Sequence, residues 1–291
     1  EPFDPTFVLS RSGSNIICSV LFGSRFDYDD ERLLTIIRLT NDNFQIMSSP
    51  RGEVSQLSPA GMGCGNFKCL RDLIAHCVHD HQASLDPRSS RDFIDCFLTK
   101  MAETVGTMLR HAFLALMKYP KVQDEEEIDL MVGHVRLPAL KDRAAMPYTD
   151  MVIHEVQRFA DITPMNLPHR VTRDTAFHGF LIPKGTSIIT LLNTVHYDPS
   201  QILTPQEFNL EHFLDANQSF KKSPAFMPFS AGRCLCLGRS LVRMELFLYL
   251  SAALQSFSRQ PLGAPEDIDL TPLSSGLASL PRPFQLCMCP R

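Results

Sequence analysis

Several features that would assign this chain to a class of protein at once are missing from its sequence. The 291 residues contain no tryptophan, and the formal net charge of −4 argues against the basic field by which nucleic-acid-binding proteins attract their ligand. No apolar run reaches the roughly 20 residues of a membrane-spanning helix, and no signal peptide or low-complexity tract is found. Hydrophobic residues make up 44% of the chain, which is enough to bury a sizeable core.

Cysteine is present in an odd number and without the pattern of a disulfide scaffold. Nine cysteines are spread over a chain that is too long to need such a scaffold, so we expect a reducing compartment rather than a secreted framework. The chain opens on Glu1 instead of methionine, and we expect it to be a fragment or a truncated product.

Apolar residues recur with helical spacing over most of the chain, so the predicted fold class is mainly α with a small β region (α+β). Gly23 and Gly133 end two of the helices, and Pro147 begins another. The segment 48–65 contains two prolines and four glycines and is predicted to be a loop. The predicted helices cover 4–22, 30–47, 66–82, 91–100, 104–118, 124–131, 147–160 and 240–257, and short β-like runs cover 170–172, 187–192 and parts of the tail.

The most informative segment is FSAGRCLCLG, which runs from Phe229 to Gly238. It places Cys236 just before an apolar helix, where unpaired backbone N–H groups and the helix dipole favour thiolate over thiol. Gly232 and Gly238 let a flat, bulky group approach the backbone closely. A thiolate in this position is a metal ligand or a nucleophile. Because the following helix carries no partner motif for nucleophilic chemistry, we favour a metal ligand.

This segment resembles the cysteine-ligand loop of the cytochrome P450 haem-thiolate monooxygenases, F-x-x-G-x-R-x-C-x-G. Phe229, Gly232, Cys236 and Gly238 match the pattern, whereas the arginine position holds Cys234. The resemblance implies a cytochrome P450 fold and haem b (iron protoporphyrin IX) as cofactor. It makes Cys236 the axial ligand of the iron and places the other three matching residues around the cofactor.

A second motif lies upstream, on the predicted helix 147–160. Glu155 and Arg158 form E-x-x-R, whose i, i+3 spacing puts a carboxylate and a guanidinium on one face. Taken alone, this is most often a surface ion pair of small value. With His212 downstream and the cysteine loop after it, the order resembles the family's triad, which fixes the irregular segment beneath the haem. The family's usual proline in that segment is Leu210 here.

The resemblance extends to the surroundings of the cofactor. His169 holds the position that donates a hydrogen bond to a haem propionate in the family. The residues expected to line the substrate side are apolar with small polar inserts, which suits small lipophilic substrates such as xenobiotics. They are Ile162, Thr163, Met165, Leu167 and Leu277.

Basic residues surround the cysteine loop on the face that docks an NADPH-dependent flavoprotein reductase in the family. Ordinary surface charge is the alternative interpretation, since steering charges are common. The resemblance implies the membrane of the endoplasmic reticulum, and we expect this chain to lack the family's N-terminal anchor. The basic residues are Lys221, Lys222, Arg233, Arg239 and Arg243.

From about 137 to 291 the sequence resembles a microsomal family-2 cytochrome P450 continuously, and subfamily F most of all. The family's central helix carries [AG]-G-x-x-T, but here Thr104 follows Met101-Ala102-Glu103. This stretch looks like two ends of the helix joined. We therefore predict that 1–291 is a partial cytochrome P450 domain, without the N-terminal part and irregular or deleted around 48–65 and 101–107.

Two hypotheses about function remain open. In the first, the chain is a monooxygenase that inserts one oxygen atom from O2 into a lipophilic substrate, using electrons from NADPH through a reductase. Thr104 would then be the hydroxyl that helps to deliver protons. In the second, the chain is a non-catalytic, pseudogene-like remnant that binds haem but lacks the oxygen-activating helix.

Overall fold

The computed structural model of the chain describes residues 2–22, 25–47, 94–122, 125–215, 219–232 and 235–291. The predicted loop 48–65 and the predicted helix 66–82 lie outside these residues, as do Arg233 and Cys234 of the cysteine loop.

The described residues are mainly helical, which confirms the predicted fold class. From Ile94 onward, the two predicted helices 91–100 and 104–118 form one helix, because residues 101–103 are Met-Ala-Glu, three good helix formers that leave no break. Short 3-10 helices connect the longer elements, among them Leu140–Ala145 and Leu210–Phe213. The α-helices are α1 (Thr6–Phe22), α2 (Glu31–Met47), α3 (Ile94–Lys118), α4 (Glu125–Met131), α5 (Pro147–Ala160), α6 (Asn193–His196) and α7 (Arg239–Ser256).

In the part of the chain that the structure describes, the β region consists of three small antiparallel pairs. Its central hairpin turns at His178 and Gly179, whose φ angles of 48° and 83° suit a tight two-residue hairpin turn. The predicted run 187–192 forms a strand at its first two residues only, because the backbone N–H of Leu192 donates to the carbonyl of Pro164 instead. The pairs are β1 (His169–Arg170) with β4 (Ser187–Ile188), β2 (Thr175–Phe177) with β3 (Phe180–Ile182), and β5 (Phe257–Pro261) with β6 (Leu286–Pro290).

Helix α3 is the centre of the core, and α1, α2, α5 and α7 all pack against it. Its buried face includes Val105, Leu109 and Leu116. Helix α1 crosses it at Gly106, where an added Cβ would lie 3.2 Å from the backbone of Ser10. Glycine therefore permits the close crossing of the two helices.

Helix α7 carries the cysteine loop at its N-terminus and is anchored in the same core. Val242, Leu246, Leu250 and Leu254 recur every four residues and are all buried. The helix packs against α3, α4 and α5. The start of α7 is therefore held in place by a buried helical face rather than by its own loop.

One charged side chain of α7 is buried without a partner. Glu245 is 4% exposed, and neither carboxyl oxygen has a hydrogen-bond partner among the described residues. Burial raises the pKa of Glu245 to about 7, because the charged form loses its hydration. The folded protein therefore favours the neutral carboxyl group.

We predict that Leu109→Ala lowers the free energy of unfolding by about 2–5 kcal/mol, because it leaves a cavity where the other core helices pack on α3. Urea denaturation followed by circular dichroism measures the change. Leu203→Ala is the matched control: this leucine is 84% exposed, and the same truncation should change the free energy of unfolding by about 0.5 kcal/mol or less. Equal losses in the two variants would contradict the position of α3 in the core.

We predict that Glu245→Gln becomes more stabilising as the pH rises. The pKa of Glu245 is raised from 4.5 to about 7 on folding, so the stability that the neutral carboxyl contributes is present below about pH 4.5 and lost as the pH rises through 7. The variant has no such loss and should gain up to about 3 kcal/mol over the wild type between about pH 5 and pH 8. Urea denaturation at the two pH values measures the gain, and a difference that does not depend on pH would refute the prediction.

Candidate functional site

The site is organised by a buried ion pair on α5. Arg158 Nε lies 2.8 Å from one carboxylate oxygen of Glu155, and its Nη2 lies 2.7 Å from the other. The two side chains are 1% and 0% exposed. The i, i+3 spacing thus gives a two-pronged pair inside the protein rather than the surface ion pair that is common for this motif.

The same arginine holds the irregular segment that follows α6. Its remaining N–H groups donate to the backbone carbonyls of His196 (3.2 Å), Pro205 (2.8 Å) and Glu207 (2.8 Å). All five N–H groups of the guanidinium of Arg158 are therefore used. Because all of its donors are used, this buried guanidinium holds three backbone carbonyls of a segment that has no strand pairing of its own.

His212 joins this network from the 3-10 helix Leu210–Phe213. Its Nδ1 lies 3.3 Å from each carboxylate oxygen of Glu155, and its Nε2 lies 3.2 Å from the hydroxyl of Thr204. The backbone N–H of Asn209 donates to the same carboxylate at 2.8 Å. The structure therefore brings the three predicted support residues into one buried cluster, and their role as support for a ligand loop stays a prediction.

The cysteine loop leads directly into α7. The backbone N–H of Cys236 donates to the carbonyl of Phe229 at 3.0 Å, which closes the loop on itself. The thiol is half-buried and not in a disulfide. Helix α7 has 18 residues and no acidic side chain in its first turn. The positive end of its dipole is therefore available to stabilise a thiolate at Cys236.

The glycine turn before the cysteine leaves room for a flat group. Ser230 and Gly232 have φ angles of 62° and 70°, and a Cβ added at Gly232 would meet no described residue within 4 Å. Phe229 packs against the core with the guanidinium of Arg243 5.2 Å from its ring centroid. A free thiol beside an open glycine backbone and an anchored aromatic ring fits a haem held through sulfur.

A residue that the motifs did not reveal ties this turn to the rest of the site. Asn166 is buried, and its amide N–H groups donate to the hydroxyls of Ser230 at 3.0 Å and Thr190 at 2.8 Å. Its φ of 54° is a conformation that asparagine tolerates better than most residues. The only signal in the sequence is an asparagine between a helix end and a strand, which predicts a turn but not its long-range partners.

The sequence model of the cytochrome P450 family matches residues 1–105 and 102–288. The chain belongs to the cytochrome P450 family.

The relatives of this P450 point to family 2, subfamily F. Cytochrome P450 2F1 of Homo sapiens is 76% identical over 329 residues, which cover 100% of this chain and 67% of the relative. Cytochrome P450 2F3 of Capra hircus is 66% identical, with 99% and 66% covered. Cytochrome P450 2G1 of Oryctolagus cuniculus is 44% identical, with 100% and 66% covered. This P450 thus spans about two thirds of their length, and it is a member of a family of haem b monooxygenases.

The predicted substrate-side residues of this P450 lie at two neighbouring segments. The backbone N–H of Ser279 donates to the carbonyl of Ile162 at 2.8 Å, so the tail is fastened to the connection after α5. Ile162 and Leu277 are buried. Thr163 and Met165 are half-buried, and Leu167 is exposed.

Two further predicted site residues lie on separate elements. His169 is half-buried on β1, opposite Ile188 of β4, and its ring makes no hydrogen bond to the described residues. Thr104 is half-buried on α3, directly before the fully buried Val105. The roles of His169 as propionate partner and of Thr104 as proton carrier stay predictions.

The predicted basic face begins at the first turn of α7. Arg239 is exposed there, and Arg243 is half-buried one turn later. Burial lowers the pKa of Arg243, and the charges of Arg143 and Arg239 lower it further. Of the other predicted members, Lys221 and Lys222 are exposed, and Arg233 lies outside the described residues.

Among the described residues, none of the helices combines the length and the apolarity that crossing a bilayer requires.

We predict that Arg158→Ala lowers the free energy of unfolding by about 3–5 kcal/mol, because it leaves the buried carboxylate of Glu155 without its cation. Chemical denaturation measures the loss. The control is Arg32→Ala, which removes a cation from Asp30 in an exposed pair at 2.8 Å and should cost about 1 kcal/mol or less. Arg158→Lys keeps the charge but not the planar fork and should fall between them. If Arg158→Ala cost no more than Arg32→Ala, the ion pair would not organise the site.

Proposed function

We propose that this chain is a haem-thiolate monooxygenase that inserts one oxygen atom from O2 into a small lipophilic substrate, with electrons from NADPH supplied through a flavoprotein reductase. The observation that carries the proposal is the free thiol of Cys236 at the N-terminus of α7. It lies in a loop next to the segment that the buried Glu155–Arg158 pair holds. Catalysis in a haem-thiolate enzyme requires such a preorganised thiolate.

In this proposal the chain would contribute a thiolate ligand and the walls of the cofactor site. Cys236 would hold the haem iron through its sulfur, at the positive end of the α7 dipole. Phe229, Gly232 and Gly238 would border the cofactor, and His169 would donate a hydrogen bond to a propionate. When bound, haem supplies oxygen activation, and a thiolate ligand favours cleavage of the O–O bond.

The proton that this chemistry consumes needs a positioned hydroxyl, and we assign Thr104 to that role. Thr104 lies on α3, the helix that is central to the core. The two family matches meet at 102–105, and the alignment with the human relative runs over 329 residues against the 291 of this chain. We therefore also propose that residues of the central helix are missing at about 101–107, around this hydroxyl.

The proposed substrate site lies where the tail meets the connection after α5. Ile162 and Leu277 contribute buried apolar surface, and the hydrogen bond from Ser279 to Ile162 holds the two segments together. Thr163, Met165 and Leu167 extend this surface. An apolar lining with few polar groups favours small lipophilic molecules, and we propose xenobiotics as the substrate class.

The reductase is proposed to dock on the basic face around Cys236. Arg239 is exposed at the start of α7, Arg243 adds a half-buried positive charge one turn later, and Lys221 and Lys222 are exposed before the loop. A cluster of like charges steers an acidic partner toward this face. By its family, the chain is proposed to act at the membrane of the endoplasmic reticulum.

We predict that Cys236→Ala abolishes thiolate ligation. The purified chain is reconstituted with haem, reduced and exposed to carbon monoxide, and a strongly red-shifted Soret band reports the thiolate. The variant should lose this band completely because no sulfur remains to bind the iron. Cys289→Ala, a half-buried cysteine on β6, is the matched control and should keep the band.

Cys234→Ala separates the two cysteines of the loop. It should keep the band, and its loss in this variant would show that the ligand assignment to Cys236 is wrong. A wild-type chain that takes up no haem would contradict the proposed function altogether.

The alternative function, a non-catalytic remnant, is not favoured by the comparisons with relatives. Turnover decides between the two once haem uptake is established. Oxygen insertion into a lipophilic probe such as an alkylbenzene is measured with NADPH and a microsomal reductase. The proposal requires more product than free haem gives under the same conditions. A chain that shows the thiolate band but no product above that background would be the remnant.

A further inference from the structure

The buried histidine His196 bridges two segments that meet beside the cysteine loop. It is the last residue of α6 and is 1% exposed. Its Nδ1 lies 2.9 Å from a carboxylate oxygen of Asp161, and the backbone N–H of Met227 donates to its Nε2 at 3.3 Å. No family motif or helical spacing in the sequence singles out this residue.

The two contacts determine which ring nitrogen carries the proton. A backbone N–H can only donate, so Nε2 of His196 is the acceptor. Nδ1 then carries the proton and donates to the carboxylate of Asp161. Asp161 is itself buried and caps α5 with a left-handed φ of 39°. The end of α5 therefore orients the imidazole toward Met227.

His196 also belongs to the ion-pair network through its backbone. Its carbonyl accepts a hydrogen bond from Nη1 of Arg158 at 3.2 Å. One residue thus connects three parts of the structure: the buried ion pair, the end of α5 and the entry to the cysteine loop. A shift of any of them moves the ring that holds Met227.

Met227 is the backbone point at which the loop is fastened. Its N–H donates to His196, and its carbonyl accepts the N–H of Ser230 at 3.0 Å. The next residue, Pro228, has no N–H to offer. Phe229 follows, and its carbonyl accepts the N–H of Cys236. The bond to His196 is therefore a side-chain anchor of the backbone just before the loop, whereas Asn166 holds the hydroxyl of Ser230 within it.

We propose that His196 is a positioning residue for thiolate ligation: its Nε2 holds the N–H of Met227 and thereby sets the place of the cysteine loop relative to α5. This inference rests on the proposed haem-thiolate function. His196 acts through the loop backbone and not by contact with the cofactor.

Two substitutions at His196 separate its two hydrogen bonds. The amide of asparagine reaches about as far as Nδ1, so His196→Asn keeps the bond to Asp161 and loses the bond to Met227. The amide oxygen of glutamine reaches about as far as Nε2, so His196→Gln keeps the acceptor for Met227. His178→Asn changes an exposed histidine of the β2–β3 turn in the same way and is the matched control.

The first measurement is the fraction of bound haem that shows the thiolate-type Soret band with carbon monoxide, at equal total haem content. We expect this fraction to fall several-fold in His196→Asn and to recover in His196→Gln, with His178→Asn unchanged. A general loss of packing would affect both His196 variants alike. Equal fractions in the two His196 variants, whether reduced or not, would overturn the proposal.

The second measurement needs no haem. Hydrogen exchange of the Met227 amide in the apoprotein, resolved by fragment mass spectrometry, should be faster in His196→Asn by roughly tenfold, as expected for the loss of one hydrogen bond. It should stay near the wild-type rate in His196→Gln. An unchanged rate in His196→Asn overturns the proposal. Failure of the wild type to take up haem would instead contradict the proposed function, while this measurement still tests His196.

Discussion

The buried pair of Glu155 and Arg158 is the interaction on which the rest of the site depends. Removing two charges from water is costly, and this cost is offset only when the remaining donors and acceptors are satisfied. Here the guanidinium uses all five N–H groups, and the carboxylate also accepts from Asn209 and lies against His212. Because most of these partners lie between His196 at the end of α6 and His212 in the 3-10 helix Leu210–Phe213, the pair can be stable only if residues 196–212 are in place.

Hydrogen bonds from His196 and Asn166 connect the cysteine loop to the rest of the site. His196 receives Arg158 on its carbonyl and Met227 on its ring, and Asn166 holds the hydroxyl of Ser230. The described residues of the loop and of the segment before it contain no α-helix and no strand longer than one residue, so these contacts hold their backbone in place. Helix α7 holds the C-terminal end of the loop, because the buried face of the helix fixes the residue that follows the loop.

In the central helix α3, the formation of the helix and the surroundings of Thr104 depend on different parts of the chain. The family matches meet within it, at 102–105, yet the helix runs unbroken from Ile94 to Lys118. Helix propagation depends on neighbouring residues, and Met-Ala-Glu satisfies that requirement. Chemistry that depends on what surrounds Thr104 needs residues brought together from distant parts of the chain. The continuity of helix α3 is therefore independent of whether the chain inserts oxygen or is a non-catalytic remnant.

Local patterns in the sequence determined most helices and the chemical identity of the site. Glycine and proline positions set the bounds of α1, α4 and α5 to within about two residues, since helix ends obey short-range rules. Motif spacing picked out Cys236 and the Glu155–Arg158 pair. Only the tertiary structure decided which carbonyls Arg158 reaches, that His196 and Asn166 hold the loop, and that Glu245 is buried with no partner among the described residues. These depend on contacts between segments far apart in the chain and without periodicity, which no local pattern encodes.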